Sequence, residues 1–223
     1  MKRLFDGLLR IVAFGFFLIF WSRLMGARLE PILDFSAIVG GIVLTVPIVW
    51  IARKMLDRQP TLDRTVRITT VVHYSVVFLF GTAIFRAIAT YREWSVWTLP
   101  IPQEIGLALA VVCGAAAIAT VVNLALKGLG APFAVALSRK LTTDWMYAWT
   151  RNPMVLATLA FFLSLGIWFR SALFLLWVLF LVSPVLLLFV KMYEERELEI
   201  RFGASYLEYK SKTPILFPRR PQA

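Results

Sequence analysis

Two adjacent carboxylates, Glu194 and Glu195, follow the last long apolar run of this 223-residue chain. Leu198, Phe202, Gly203, Tyr206 and Tyr209 come after them, then a tail bounded by Pro214 and Pro218. Carboxylates at an apolar boundary can hold a cation or take a proton. If the helix continues through Gly203, its spacing puts Glu195, Phe202, Tyr206 and Tyr209 along one face, with Glu194, Leu198 and Arg201 on a neighbouring one. A second polar group, Arg151-Asn152-Pro153-Met154, stands just ahead of the preceding apolar run.

Each group also has a purely local reading. Asn152 suits an N-cap, Pro153 the first helical position and Arg151 a membrane interface. Lys191 with Glu195, and Glu197 with Arg201, are spaced as ordinary surface pairs. Such pairs contribute only about 0.3–0.5 kcal/mol each, which gives little reason for two adjacent carboxylates. Gly128-Leu129-Gly130-Ala131-Pro132 reads as an exit from an apolar run. It is not a dinucleotide-binding fingerprint, since no strand precedes it.

The elements that position these residues are membrane spans. Hydrophobic residues make up 60% of the chain and the mean hydropathy is +0.76, well above a soluble domain. Six apolar runs, at about 8–25, 36–52, 69–90, 104–126, 153–169 and 172–190, read as spanning helices. The expected fold is all-α: a polytopic membrane helical bundle of about six transmembrane helices, with a C-terminal helical hairpin and a cytoplasmic amphipathic tail helix. The hairpin turns near Arg170-Ser171, and Leu99-Pro100-Ile101-Pro102 favours an extended or turning approach to the fourth run. Residues 106–120, rich in Ala, Val and Gly, permit close helix contact. Two parts are expected: N-terminal transmembrane helices over 1–103 and a catalytic core over 104–223. The first run, from Leu8 to Trp21, shows no convincing cleavage site.

The formal net charge is +11, but its distribution argues against nucleic acid. Basic residues gather in alternate connections: Lys2, Arg3 and Arg10; then Arg53 to Arg67; then Lys127 to Arg151; then the tail. That bias marks cytoplasmic loops. Both termini and both polar groups are therefore expected on the cytoplasmic side. One cysteine, Cys113, and one histidine, His73, leave no set for a structural metal; Cys113 reads as a small core residue, and His73 as a packed or interfacial side chain in preference to a base. Asn123, inside the fourth run, suits either a ligand contact or a bridge between helices.

Taken together, Arg151-Asn152-Pro153-Met154 and Glu194-Glu195-x-x-Leu198-x-x-x-Phe202-Gly203-x-x-Tyr206-x-x-Tyr209 resemble the isoprenylcysteine carboxyl methyltransferase and phospholipid N-methyltransferase superfamily of integral membrane enzymes. The resemblance covers roughly residues 125–218. It implies S-adenosylmethionine as cofactor, with Gly128, Gly130, Tyr147, Arg151, Asn152, Pro153, Glu194, Glu195, Arg201, Tyr206 and Tyr209 around it. Arg151, Asn152 and Glu195 are the implied catalytic residues, and Arg201 the partner of the cofactor's carboxylate. Trp145 replaces the family's upstream Gly, Val155 its Tyr and Ala157 its second Gly, and these departures bear on the acceptor. The implied acceptor is a lipid or small lipophilic molecule. An amine headgroup fits the phospholipid branch, an isoprenyl-type carboxylate or a thiol fits the wider family, and a non-catalytic membrane protein would share the scaffold.

Overall fold

The computed structural model describes residues 2–94, 96–128, 138 and 140–221. The described residues are almost wholly helical. Five long helices are apolar enough to cross a membrane: α1 over Leu8–Gly26 of the longer helix Lys2–Gly26, α2 Pro31–Arg58, α3 Leu62–Thr90, α4 Gln103–Gly128 and α7 Ala172–Phe202. Between them lie the short α5, Met146–Trp149, and the apolar α6, Pro153–Trp168. The tail forms α8, Ala204–Lys212. The expected fifth span is therefore a 16-residue helix, about 24 Å long and shorter than a full bilayer core of roughly 30 Å. The sixth run extends beyond its apolar part, so that Glu194 and Glu195 belong to the same helix, α7.

Small residues decide how α4 meets α6. A side chain on Gly106 would lie 2.2 Å from the backbone nitrogen of Trp168, and Gly114 faces Phe161 at 3.5 Å. Cys113 meets Ser164 further along. These pairings make the two helices antiparallel. The turn after α6 has Arg170 at φ +54°. It is clamped to the segment before α4 by a bridge between Thr98 and Ser171. Leu99 N–H donates to Arg170 O at 2.9 Å and Ala172 N–H to Trp97 O at 3.0 Å. The extended approach to α4 thus becomes one half of a small antiparallel bridge.

The helices α2 and α7 are interrupted rather than straight. Pro47 lacks the N–H that would pair with Val43, and a turn at Leu44 precedes it. In α7 a π-helical segment at Val178–Val182 comes just before Pro184, and Ser183 Oγ bonds Val178 O at 2.8 Å. A second π segment, Val190–Glu194, ends on the carboxylate pair. Extra turns of this kind re-aim the side chains that follow, and they recur at functional sites. Here the segment is held from outside: Thr69 and Tyr193 share a buried hydroxyl bond at 3.0 Å, and Arg53 Nη1 donates to Met192 O at 2.9 Å.

At the end of the bundle away from the motifs, Arg86 on α3 ties α1 and α2 together. It donates Nε and Nη2 to Asp34, and Nη1 to the carbonyls of Leu24 and Ala27 at 2.8 Å. Arg10 O and Tyr74 meet near the other end, as do Arg53 and Met192. The start of α1, the α2–α3 connection, both motif segments and the tail therefore share one end of the molecule. Buried in an apolar bundle, the Arg86–Asp34 pair is strongly interdependent. Asp34→Ala is expected to destabilise the protein by about 3–5 kcal/mol by stranding the guanidinium. Asp34→Leu combined with Arg86→Leu should recover most of that loss in a thermal unfolding measurement in detergent.

Candidate functional site

The site begins with a break. Gly203 adopts φ +54° and ψ −129°, a conformation that costs a residue with Cβ one to several kcal/mol. The helix does not continue through it, which corrects the single-face expectation for Glu195, Phe202, Tyr206 and Tyr209. The chain turns instead, and α8 folds back so that Tyr206 and Tyr209 are buried beside α7. Tyr209 Oη donates to Tyr147 O at 2.6 Å. Turning the helix brings in Lys210, which the sequence did not single out. Its Nζ lies 2.7 Å from Glu195 Oε2 and 3.0 Å from Glu199 Oε1.

Arg151 is the hub. Its Nη2 donates to Glu195 Oε1 at 2.5 Å, and its Nη1 donates to Lys210 O at 2.6 Å and Thr213 O at 2.8 Å. Its backbone N–H reaches Pro214 O at 2.9 Å. Asn152 does not cap α6 with its side chain, contrary to the local reading. Its Nδ2 donates to Ile215 O at 2.8 Å, while Pro153 takes the first helical position. The tail is thus a strap along residues 149–152, completed by Arg219 N–H to Trp149 O at 3.0 Å. Both oxygens of Glu195 are committed, one to each of two cations.

Glu197 and Arg201 are paired at 2.5 Å, but not on the surface. Glu197 is only 2% exposed, and Arg201 also donates to Ser138 O. Arg201 therefore already has a protein carboxylate. Glu194 differs from its neighbours. It lines the cavity described below and makes no hydrogen bond or ion pair among the described residues. The phenols of Tyr147, Tyr206 and Tyr209 are all pushed above their ordinary value. Burial is the main cause in each, with added repulsion from Glu194 on Tyr147, Glu195 on Tyr206 and Tyr147 on Tyr209. They remain protonated donors at neutral pH.

A cavity of about 980 Å³ runs from these charged residues into the bundle. Glu194, Glu195, Glu197, Arg151 and Arg201 line one end, together with Tyr147 and Asn152. Mostly apolar side chains of α1, α3, α4, α6 and α7 line the rest, down to Tyr91, Gln103, Trp168 and Phe169. His73 sits at the change from charged to apolar wall. Its Nδ1 bonds Thr69 O at 3.0 Å, which makes Nε2 the free nitrogen of the neutral ring. Val155 also lines the cavity; Ala157 is buried elsewhere. Gly128 is the last residue of α4, and Gly130 lies outside the described residues. Asn123 is 1% exposed with neither amide atom partnered, and nothing in the structure explains it.

Trp145 takes φ +53° and ψ −120°, nearly the conformation of Gly203. The position that the resemblance gives to glycine is one where the backbone favours glycine, and a large side chain occupies it under strain. Trp145 is 60% exposed, so little burial is lost on its removal. Trp145→Gly should raise stability by about 1 kcal/mol, read as an upward shift in thermal unfolding. An unchanged or lowered midpoint would contradict the strain.

Residues 102–205 match a family model described as phospholipid methyltransferase. No curated protein and no solved structure matches the chain. The match takes in α4, the Arg151-Asn152-Pro153 segment, α6 and α7, and it stops short of Tyr206, Tyr209, Lys210 and the strap. These 104 residues, 102–205, are similar to the phospholipid methyltransferase family, and they lie in a polytopic helical membrane protein.

Proposed function

We propose that this protein is an S-adenosylmethionine-dependent methyltransferase that binds its cofactor at the charged end of the cavity and a lipid or lipophilic acceptor in the apolar remainder. The observation that carries this reading is Glu194. Three carboxylates line that end, two of them already paired with cations inside the protein, and the third has no partner among the described residues. A half-buried carboxylate in an apolar wall calls for a positive ligand. The cofactor's ammonium supplies one. When bound, the cofactor also supplies a methyl group already activated by a positively charged sulfur.

The chain's own residues then have separable tasks. Glu194 holds the cation. Tyr147, buried beside it and protonated, offers a donor. Glu195, for which the family resemblance implies a catalytic role, is neutralised by Arg151 and Lys210, and its proposed task is to hold the motif and the tail together. Arg151 and Asn152 do the same from the other side and frame the cavity mouth. Direct methyl transfer needs alignment and exclusion of water more than it needs bond polarisation. The strap and the α8 phenols supply that enclosure.

The acceptor meets the cofactor at His73 and Val155, where the wall changes character. An amine headgroup remains the favoured acceptor. To attack, such an amine must first lose a proton, to a base that is not already committed to the cofactor. The charged end would face the cytoplasm, where the bias of basic residues places it and where the polar cofactor is made.

Glu194→Gln keeps shape and removes charge. It should weaken S-adenosylmethionine binding roughly tenfold or more, the consequence of losing a charge-assisted bond of about 1.5–3 kcal/mol, while thermal unfolding stays near that of the parent. Glu195→Gln should instead lower the unfolding midpoint, because it loosens Arg151 and Lys210. Isothermal titration beside thermal unfolding separates the two. A Glu194→Gln variant that binds like the parent would overturn the assignment.

A further inference from the structure

The cavity is deeper than one leaflet of the hydrocarbon core. Met154 and Phe169, both lining it, stand fifteen residues apart on and just beyond α6, which is about 22 Å of helix. His73 and Tyr91 on the α3 side span a similar or greater depth, roughly 27 Å. Half of a hydrocarbon core is only about 15 Å. An apolar chain that fills this depth from the charged end therefore has to run extended and pass the midplane.

That lower part is built, not merely left over. Tyr91 and Phe169 stack with centroids 4.0 Å apart and planes within 15°. Arg170 Nε donates to Leu99 O at 3.1 Å just beyond them, and the Thr98–Ser171 bridge closes the same end. Charged lining residues are confined to the motif end, and the wall from Val76 to Ile88 carries none. Two helix pairs bound the space: α1 with α3, joined through Tyr74 and Trp21, and α4 with α6, joined through Gly106 and Gly114. One pole is charged and the other is aromatic apart from Gln103, with an apolar passage between.

From this geometry we infer that the acceptor carries an extended apolar chain that crosses the bilayer midplane inside the protein, and that the Tyr91–Phe169 stack is the floor that gauges its length. This deepens the methyltransferase reading by naming the shape of its acceptor, and it rests on that reading only for the identity of the head. Phe169, Tyr91 and Trp168 then determine specificity through chain length, at the opposite end of the cavity from the reacting group.

A single-chain primary amine with a diazirine at the chain end tests this without turnover. The purified protein, in phosphatidylcholine vesicles, is irradiated with probes about 25 Å and about 15 Å long, chosen to reach past and only to the midplane. Adducts of the longer probe are expected on Tyr91, Trp168 and Phe169, and those of the shorter one near Ile84 and Phe161. Phe169→Ala should move the chain length of fastest methylation upward. The inference fails if the long probe marks only the outer faces of the helices, or marks the same residues as the short one. If floor adducts form but no amine, carboxylate or thiol of any chain length is methylated, the chain site stands and the methyltransferase reading is what fails.

Discussion

One buried carboxylate between two cations organises the functional end of this protein. Glu195 accepts from Arg151 at 2.5 Å and from Lys210 at 2.7 Å. Through them it joins the start of α6, the end of α7 and the folded-back α8. Arg151 Nη1 donates to the carbonyls of Lys210 and Thr213, so the strap over residues 213–219 depends on the same guanidinium. A surface pair of this kind would contribute little. Here both side chains are at most a tenth exposed, and removal of either partner leaves a charge stranded. The arrangement frees Glu194: with its neighbour satisfied inside the protein, it is left facing the cavity.

The N-terminal half, which lies outside the family match, supports this end as well. Arg53 on α2 grips the backbone of the second π segment at Met192, and Asp57 links Arg53 to Arg196. Thr69 on α3 holds Tyr193. The extra turn that places Glu194 and Glu195 is thus fixed from α2 and α3. α1 and α3 also form one wall of the cavity. The first hundred residues are therefore more than membrane anchors.

The fold was largely legible because its signals are physical and local. Apolar runs gave the helices, and glycine and alanine at 106–120 gave the close contact of α4 with α6. The hairpin turn at Arg170-Ser171 was likewise readable from the break between two runs. The site was legible as a set of residues but not as a set of roles. Glu194 and Glu195 are chemically identical in sequence, and only the turn at Gly203 decides which of them Lys210 neutralises. Glu197 and Arg201 have the spacing of a surface pair, yet tertiary burial makes them part of the cavity wall. Trp145 was seen as a departure from a family glycine, and its positive φ gives that glycine its reason. The π segments have no sequence signature beyond Pro184, so the aim of the carboxylates was beyond reach.

The account turns on whether the charged end of the cavity takes a cationic cofactor. The direct measurement is titration of the purified protein with S-adenosylmethionine, in detergent that preserves a cooperative unfolding transition. Saturable binding of one molecule per chain, weakened by rising salt as expected for a held charge, is the predicted result. Heats that never saturate, from protein that still unfolds cooperatively, would contradict it.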